Sequence, residues 1–357
     1  MNIIIIGLTI LAIFLLGYFF ILYNQRKVIL DKVKQNESDY EKKSKFAYGV
    51  NDSIEGMGLL QAVGLEASTP LEEANQNIQQ LRKTSSSQIQ SMPDKYRDLA
   101  LREVTIKSSF NSAISGNFAS SEQIKNVLQR GCRFLDFQIL TSETDAKDYV
   151  SMTLENQSFN LDTENKLPLA EAMNTAASYG FSKAPNSNDP LFIHLRIATT
   201  NPDSLKRIYK IIVFSFSGRL FQGLVNQSTP LGKLKGKAVI IVDLATNPEL
   251  RSIGAEAHIF SGTTDFRKYE FQQLQSMAPM VVQKDSDSLH NDMGFLRMCV
   301  PLNSVDVDVS PNQFLANHPC QVLAMRFYKI DENLIEYENL FNKTQSAFLP
   351  LPVHPVE

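Results

Sequence analysis

The sequence predicts an α/β chain with a parallel sheet, held behind an N-terminal membrane anchor and a helical stalk. Three observations lead there. From residue 96 onward, short β-rich runs alternate with helical ones. Such strand–helix units need crossover connections, and these build parallel sheets. No GxGxxG follows the first strand and no GxxxxGK[ST] occurs, which disfavours the nucleotide-binding versions of such a sheet. Residues 3–23, IIIIGLTILAIFLLGYFFILY, contain no charge, and their length matches the roughly 20 residues a helix needs to cross a bilayer.

The anchor is assigned to residues 1–24. A cleaved signal would have a basic start, a shorter apolar run and a small-residue cleavage site. Here no basic side chain precedes the run, and Arg26, Lys27, Lys32 and Lys34 follow it. The positive-inside rule then puts the main body on the cytoplasmic side. Residues 25–95 read as a juxtamembrane stalk. Its clearest helix is STPLEEANQNIQQLRK at 68–83. Ser68 or Thr69 caps it, Pro70 opens it, and Glu72 and Glu73 sit in its first turn. The alternative is that this segment packs as an extra layer on the main domain, residues 96–357.

Within that domain the first strand is VTIKS (104–108), followed by a capped helix, SSEQIKNVLQR. CRFLDFQIL (132–140) and YVSMTL (149–154) read as the second and third strands. LPLAEAMNTAASYGF (167–181) is a helix, LFIHLRIAT (191–199) the fourth strand, and SLKRIYKIIVFSFSGRLF (204–221) a helix. KAVIIVDL (237–244), FLRMCVPL (295–302) and CQVLAMRFY (320–328) are later strands, with a short helix at 311–317. A doubly wound sheet and a closed (β/α)8 barrel both fit this order.

The net charge of −3 and the lack of a long basic run leave no electrostatic footprint for nucleic acid. Cys132, Cys299 and Cys320 lie far apart in apolar runs, without CxxC spacing. They read as buried free thiols, not as a disulfide framework or zinc site.

Side chains two apart on a strand share a face. Asp136 and Gln138 therefore point one way, and so do His194 and Arg196. In a barrel the four would converge at its mouth, where Asp136 and Arg196 could form a buried ion pair. His258, His290, His318 and His354 have no metal-ligand spacing, and no GxSxG is present.

Several phrases together resemble phosphatidylinositol-specific phospholipase C. IKSSFNSAISGN, then GCRFLDFQIL, is similar to the start of its X region, where S-x-H-N-T-Y precedes G-C-R-x-[IV]-E-x-D. NDPLFIHLRI, PLGKLKGKAVIIVD and the segment from SPNQFLANHPC to AFLPLP are similar to later parts of the same barrel. The phrase APNSNDPLFIHLRI (184–197) resembles divergent versions found in large DNA viruses. The resemblance spans about residues 96–352. It implies a TIM-type (β/α)8 barrel, with room for distortion, and a chemistry of two histidines with calcium.

Carried over residue by residue, that chemistry has lost its parts. The first histidine is Phe110. The second falls near Ser151 or Met152, with no histidine there. Of the calcium positions, Asn111 is kept, the glutamate becomes Asp136, the aspartate becomes Gln138, and the fourth aligns with Arg196. Glu155 and His194 complete the polar cast of the cleft. Losing one general acid or base costs about 10²–10⁴ in rate, and calcium wants 6–8 oxygen ligands. The resemblance therefore implies a catalytically inactive barrel with no metal or other cofactor, and calcium only if the site were active. Its expected role is structural or binding, in the membrane or inner shell of a large DNA virus particle. Candidate partners are a membrane through residues 3–23, a phospholipid headgroup, and capsid or membrane proteins. An active phosphodiesterase with a rearranged site, and a headgroup-binding module, are the alternatives.

Overall fold

The computed structural model describes residues 76, 78–80, 83 and 87–354, apart from 117, 143–145, 153–162, 164, 245–246, 248–249, 251–258, 262–265, 278–281, 284–295, 302–308 and 352. The expected anchor at 3–23, most of the stalk, and Glu155 lie outside the described residues. Among those described, no helix is long and apolar enough to cross a membrane.

Eight parallel strands form the centre: β1 (Val104–Ser109), β2 (Phe134–Ser142), β3 (Leu191–Ile197), β4 (Ala238–Asp243), β5 (Ile259–Ser261), β6 (Phe266–Glu270), β7 (Leu296–Val300) and β8 (Val322–Met325). Their spatial order is β1-β8-β7-β6-β5-β4-β3-β2. β1 and β2 stand near opposite ends of that order, yet they pair through Ser108↔Phe134 and Ser109↔Leu135. The architecture is thus TIM-type. The sheet is nevertheless mixed, because Phe348–Pro350 adds antiparallel to β1 and a two-strand extension adds beside β2.

That extension corrects one expectation. Of the predicted third strand, YVSMTL, Tyr149 and Val150 fall in a strand, Lys147–Val150, that runs antiparallel to β2, and Ser151 and Met152 lie beyond it. Only residues 143–146 join the two. A hairpin can be made with so short a link, whereas a parallel crossover needs a dozen residues or more. LFIHLRI is therefore the third parallel strand, not the fourth. β5 and β6 were not anticipated. They are short, and β6 (FRKYE) exposes or half-exposes four of its five residues, so no apolar run announces it.

The helices follow local chemistry closely. α1 (Ser121–Gln129) is capped by Ser120, whose side chain accepts from Glu122 N. α2 spans Leu169–Gly180. α3 (Pro202–Ser215) begins two residues earlier than expected, because Asn201 caps it and Pro202 opens it. It stops six residues short of the expected end, where Gly218 turns the chain at φ 74°. α4 (Leu231–Leu234), α5 (Phe271–Gln275) and α6 (Pro311–Asn317) are short. α7 (Glu332–Thr344) is capped by Asp331.

β1, β3 and β4 are buried along their whole length. This is the pattern of strands covered on both faces. Cys132, Cys299 and Cys320 are buried free thiols, as expected, and burial pushes the thiols of Cys132 and Cys320 up to about 12. Residues 87–92, at the end of the segment assigned to the stalk, pack on this domain. Gln90 bridges Ser346. Met92 N donates to both oxygens of Asp189 at 3.0 Å. A Cβ on Gly131 would lie 2.5 Å from Ile89, so only glycine lets this segment approach.

Candidate functional site

The mouth of the barrel is built from two neighbouring strands and the turn after β1. Asp136 on β2 stands opposite His194 on β3, and Gln138 stands opposite Arg196. Phe110 follows the last residue of β1 and extends its ladder, its N–H donating to Met325 O at 2.9 Å. Asn111 then adopts φ 46°, a left-handed conformation that asparagine tolerates better than most residues. Ser112 locks the turn to β2. Its N–H donates to Asp136 O at 2.8 Å, and its Oγ accepts from Asp136 N at 2.9 Å.

This geometry brings five of the anticipated residues together. Arg196 Nε donates to Asp136 Oδ1 at 3.1 Å and its Nη2 to Oδ2 at 3.0 Å. The same Nη2 donates to Asn111 Oδ1. The guanidinium lies 4.7 Å from the centre of the Phe110 ring, a favourable cation–π position. His194 Nδ1 is 2.7 Å from Asp136 Oδ1, and Asn111 N donates to Oδ2 at 3.0 Å. Asp136 and His194 are fully buried, and Arg196 is 5% exposed.

Burial alone would raise the Asp136 carboxyl. The Arg196 charge and the His194 hydrogen bond outweigh it and hold the group at about 2. At neutral pH the carboxylate can only accept, so Nδ1 of His194 carries the proton. A carboxylate has about four acceptor sites. Those of Asp136 are taken by His194, by Arg196 twice and by the Asn111 N–H.

Gln138 lies two residues beyond Asp136 on β2, and Ser151 and Met152 follow the strand that pairs with it. Gln138 is half-buried, and its carbonyl accepts from Ser151 N at 3.2 Å. Ser151 is buried and hydrogen-bonded to Thr163. Met152 packs partly buried against the core. Neither position supplies an acid or a base.

Sequence reasoning missed two contributors. Ser112 braces the turn, and Phe134 stacks on His194 with ring centres 5.8 Å apart. Phe134 was accessible in principle, since it lies two residues before Asp136 on the same strand face. An open groove of about 710 Å³ lies on the outer wall, lined by α2 together with Phe181, Ser182, Ser215 and Arg219. None of the mouth residues lines it.

The calcium implied by the resemblance does not fit these residues. Asn111 Oδ1 and both oxygens of Asp136 already face the Arg196 guanidinium. A divalent cation there would have to displace a buried cation from its ion pair. Among the described residues, no group of three His, Cys, Asp or Glu is placed to hold a metal ion.

Residues 98–243 match the family model for phosphatidylinositol-specific phospholipase C, X domain. No curated protein matches the chain. Among solved structures, L. pealei PLC21 is 16% identical with a TM-score of 0.55, covering 72% of this chain and 38% of its own. S. officinalis PLC21 is 16% identical with a TM-score of 0.54, covering 72% and 37%. The chain therefore spans under two-fifths of either of these structures. A calcium-dependent phosphoinositol-specific phospholipase C from a Pseudomonas species aligns at 12% identity, 74% and 99% coverage and a TM-score of 0.47. The X-domain match and the two PLC21 structures together assign the PLC-like phosphodiesterase fold to this chain.

Proposed function

We propose that this protein is a catalytically inactive PLC-like barrel, anchored in a membrane through residues 3–23, with a structural or binding role. One observation carries the reading: the Arg196 guanidinium fills the space between Asn111 and Asp136 and uses their oxygens. Phosphodiester cleavage needs a base for the attacking hydroxyl and an acid for the leaving group. The resemblance puts Phe110 in the place of one of the two histidines that do this and lets the other fall near Ser151 or Met152. His194 is bonded to Asp136 and stacked on Phe134, inside the fold and not at an open surface. Removing one such proton-transfer group costs about 10²–10⁴ in rate, and here both positions lack one. The resemblance of residues 184–197 to large-DNA-virus versions adds a virus particle as the setting.

The test is turnover of phosphatidylinositol by the full chain, with calcium and with chelator. The expected result is no turnover above the buffer background in either. Turnover that depends on calcium and is abolished by Asp136→Asn would overturn the proposal. Enrichment of the chain in purified virus particles is expected, and its recovery only from other membranes would remove the viral setting.

A further inference from the structure

The end of the barrel opposite the mouth carries a surface that the site does not use. After α3 the chain turns through 216–221 to the start of β4. There Phe221 N donates to Ala238 O at 2.9 Å and Ala238 N donates to Arg219 O at 2.8 Å. This turn lies at the N-terminal ends of the strands. Asn111 and Arg196 lie at the C-terminal ends, past β1 and at the close of β3. Phe214 is 78% exposed and Leu224 86% exposed, one on each side of the turn. Gly218, at its tip, has open space where a Cβ would be.

The charge here is one-sided. From Ser204 to Val242 the chain has no Asp or Glu. Arg219, Lys233, Lys235 and Lys237 gather at this turn. Arg219 Nη1 donates to Gly236 O at 3.5 Å, and Lys237 Nζ to Gly218 O at 3.3 Å. Lys233 lies over the Phe221 ring at 5.9 Å. Among the described residues none of the four forms an ion pair. Of the carboxylates that reach this end, Asp189 is buried and feels Lys235, and Glu171 shares the outer groove with Arg219. The adjoining turn Asp94–Asp98 (DKYRD) is neutral overall.

We propose that this end docks on an anionic lipid surface. Phe214 and Leu224 would enter the boundary between headgroups and acyl chains, while the four cations meet the headgroups. Two bare apolar side chains beside cations that form no ion pair among the described residues match an interface that is anionic outside and apolar within. A nucleic acid or an acidic protein would answer the charge but would leave Leu224 without an apolar partner. Such docking turns the mouth away from the bilayer. The inference does not depend on whether the mouth is catalytic.

The chain has no tryptophan, so Phe214→Trp and Leu224→Trp each install a single fluorophore at an exposed position. The full-length variants are added to phosphatidylcholine vesicles with and without phosphatidylserine, some containing bromolipid. With phosphatidylserine, the expected result is a blue-shifted emission quenched by bromolipid. Neutralising Lys233, Lys235 and Lys237 to Gln should weaken the docking that this local fluorescence reads by about fivefold per lysine, whether or not residues 3–23 hold the chain on the vesicle. Emission that stays at its aqueous position, or shifts equally with neutral and anionic vesicles, overturns the proposal. So does a response to soluble heparin without bromolipid quenching, which would assign the surface to an acidic macromolecule.

Discussion

Two buried ionic clusters flank β1, one on each face of the strand. Inside the barrel, Asp136 sits between Arg196 and His194. Outside it, Glu338 of α7 sits between Lys107 of β1 and Arg130 at the end of α1. Lys107 Nζ is 3.0 Å from Glu338 Oε1, Arg130 Nη2 bonds Oε2, and Lys107 Nζ also donates to Arg130 O at 2.7 Å. Lys107 and Glu338 are wholly buried in their side chains. Alternation along the strand sends residue 107 one way and residue 110 the other.

The clusters differ in how fully the acid is used. Every acceptor site of Asp136 has a well-placed donor. Glu338 Oε1 has a close cation but no aligned hydrogen bond, and two cations share one acid. The outer cluster ties three elements together: β1, α1 and α7. The inner one closes a cleft between two strands and a turn. A buried charge is thus no sign of a reaction by itself; its partners decide whether it clamps, plugs or reacts.

The largest effect is expected on the outer cluster. Glu338→Ala leaves Lys107 and Arg130 buried without their acid, a loss of about 3–5 kcal/mol. Denaturant unfolding checks it, and a change under 1 kcal/mol would mean the helix is held by its apolar face alone (on the order of the exposed-pair value).

Next comes the inner cluster. Asp136→Ala should cost a similar ~3 kcal/mol by stranding Arg196. The double change Asp136→Leu with Arg196→Met should cost less than the single one, because no charge is left buried. A double variant less stable than Asp136→Ala would show that the cluster supplies net stability and does more than fill the mouth.

The smallest effect is on pH dependence, where two carboxyls pull in opposite directions. Asp136 is held at about 2 in the fold, below its unfolded value. Its contribution is full above that unfolded value and is lost as pH falls toward 2. Burial, only partly offset by the Met92 N–H, raises Asp189 to about 6. The folded chain then holds that proton longer, so stability falls as pH rises from about 4 to about 6. In an unfolding series across pH, Asp189→Asn should remove the fall between pH 4 and 6 and leave the acid loss below pH 4. A fall that survives in Asp189→Asn would trace it to another group.

Much of this was legible in the chain. Period-two alternation placed Asp136 with Gln138 and His194 with Arg196, and the same alternation made an Asp136–Arg196 ion pair one expected outcome. Capping chemistry located α1, and cysteine spacing gave buried thiols. The hairpin after β2 was misread because YVSMTL has the composition of any strand. Direction depends on the length of the link before it. β6 went unseen because a short strand held by its neighbours needs little apolar character of its own, and β5 because its three residues, Ile259–Ser261, are too few to show a period.

By itself the sequence determined the class of fold and the faces of the strands, because these depend on residue type and local period. Tertiary structure alone decided that Arg196 reaches both Asn111 and Asp136, since residues 85 positions apart meet only when β3 is laid beside β2 and the turn after β1. It also decided that Phe214 and Leu224 are left bare. Exposure depends on which neighbours the packed barrel supplies, and no local pattern records that.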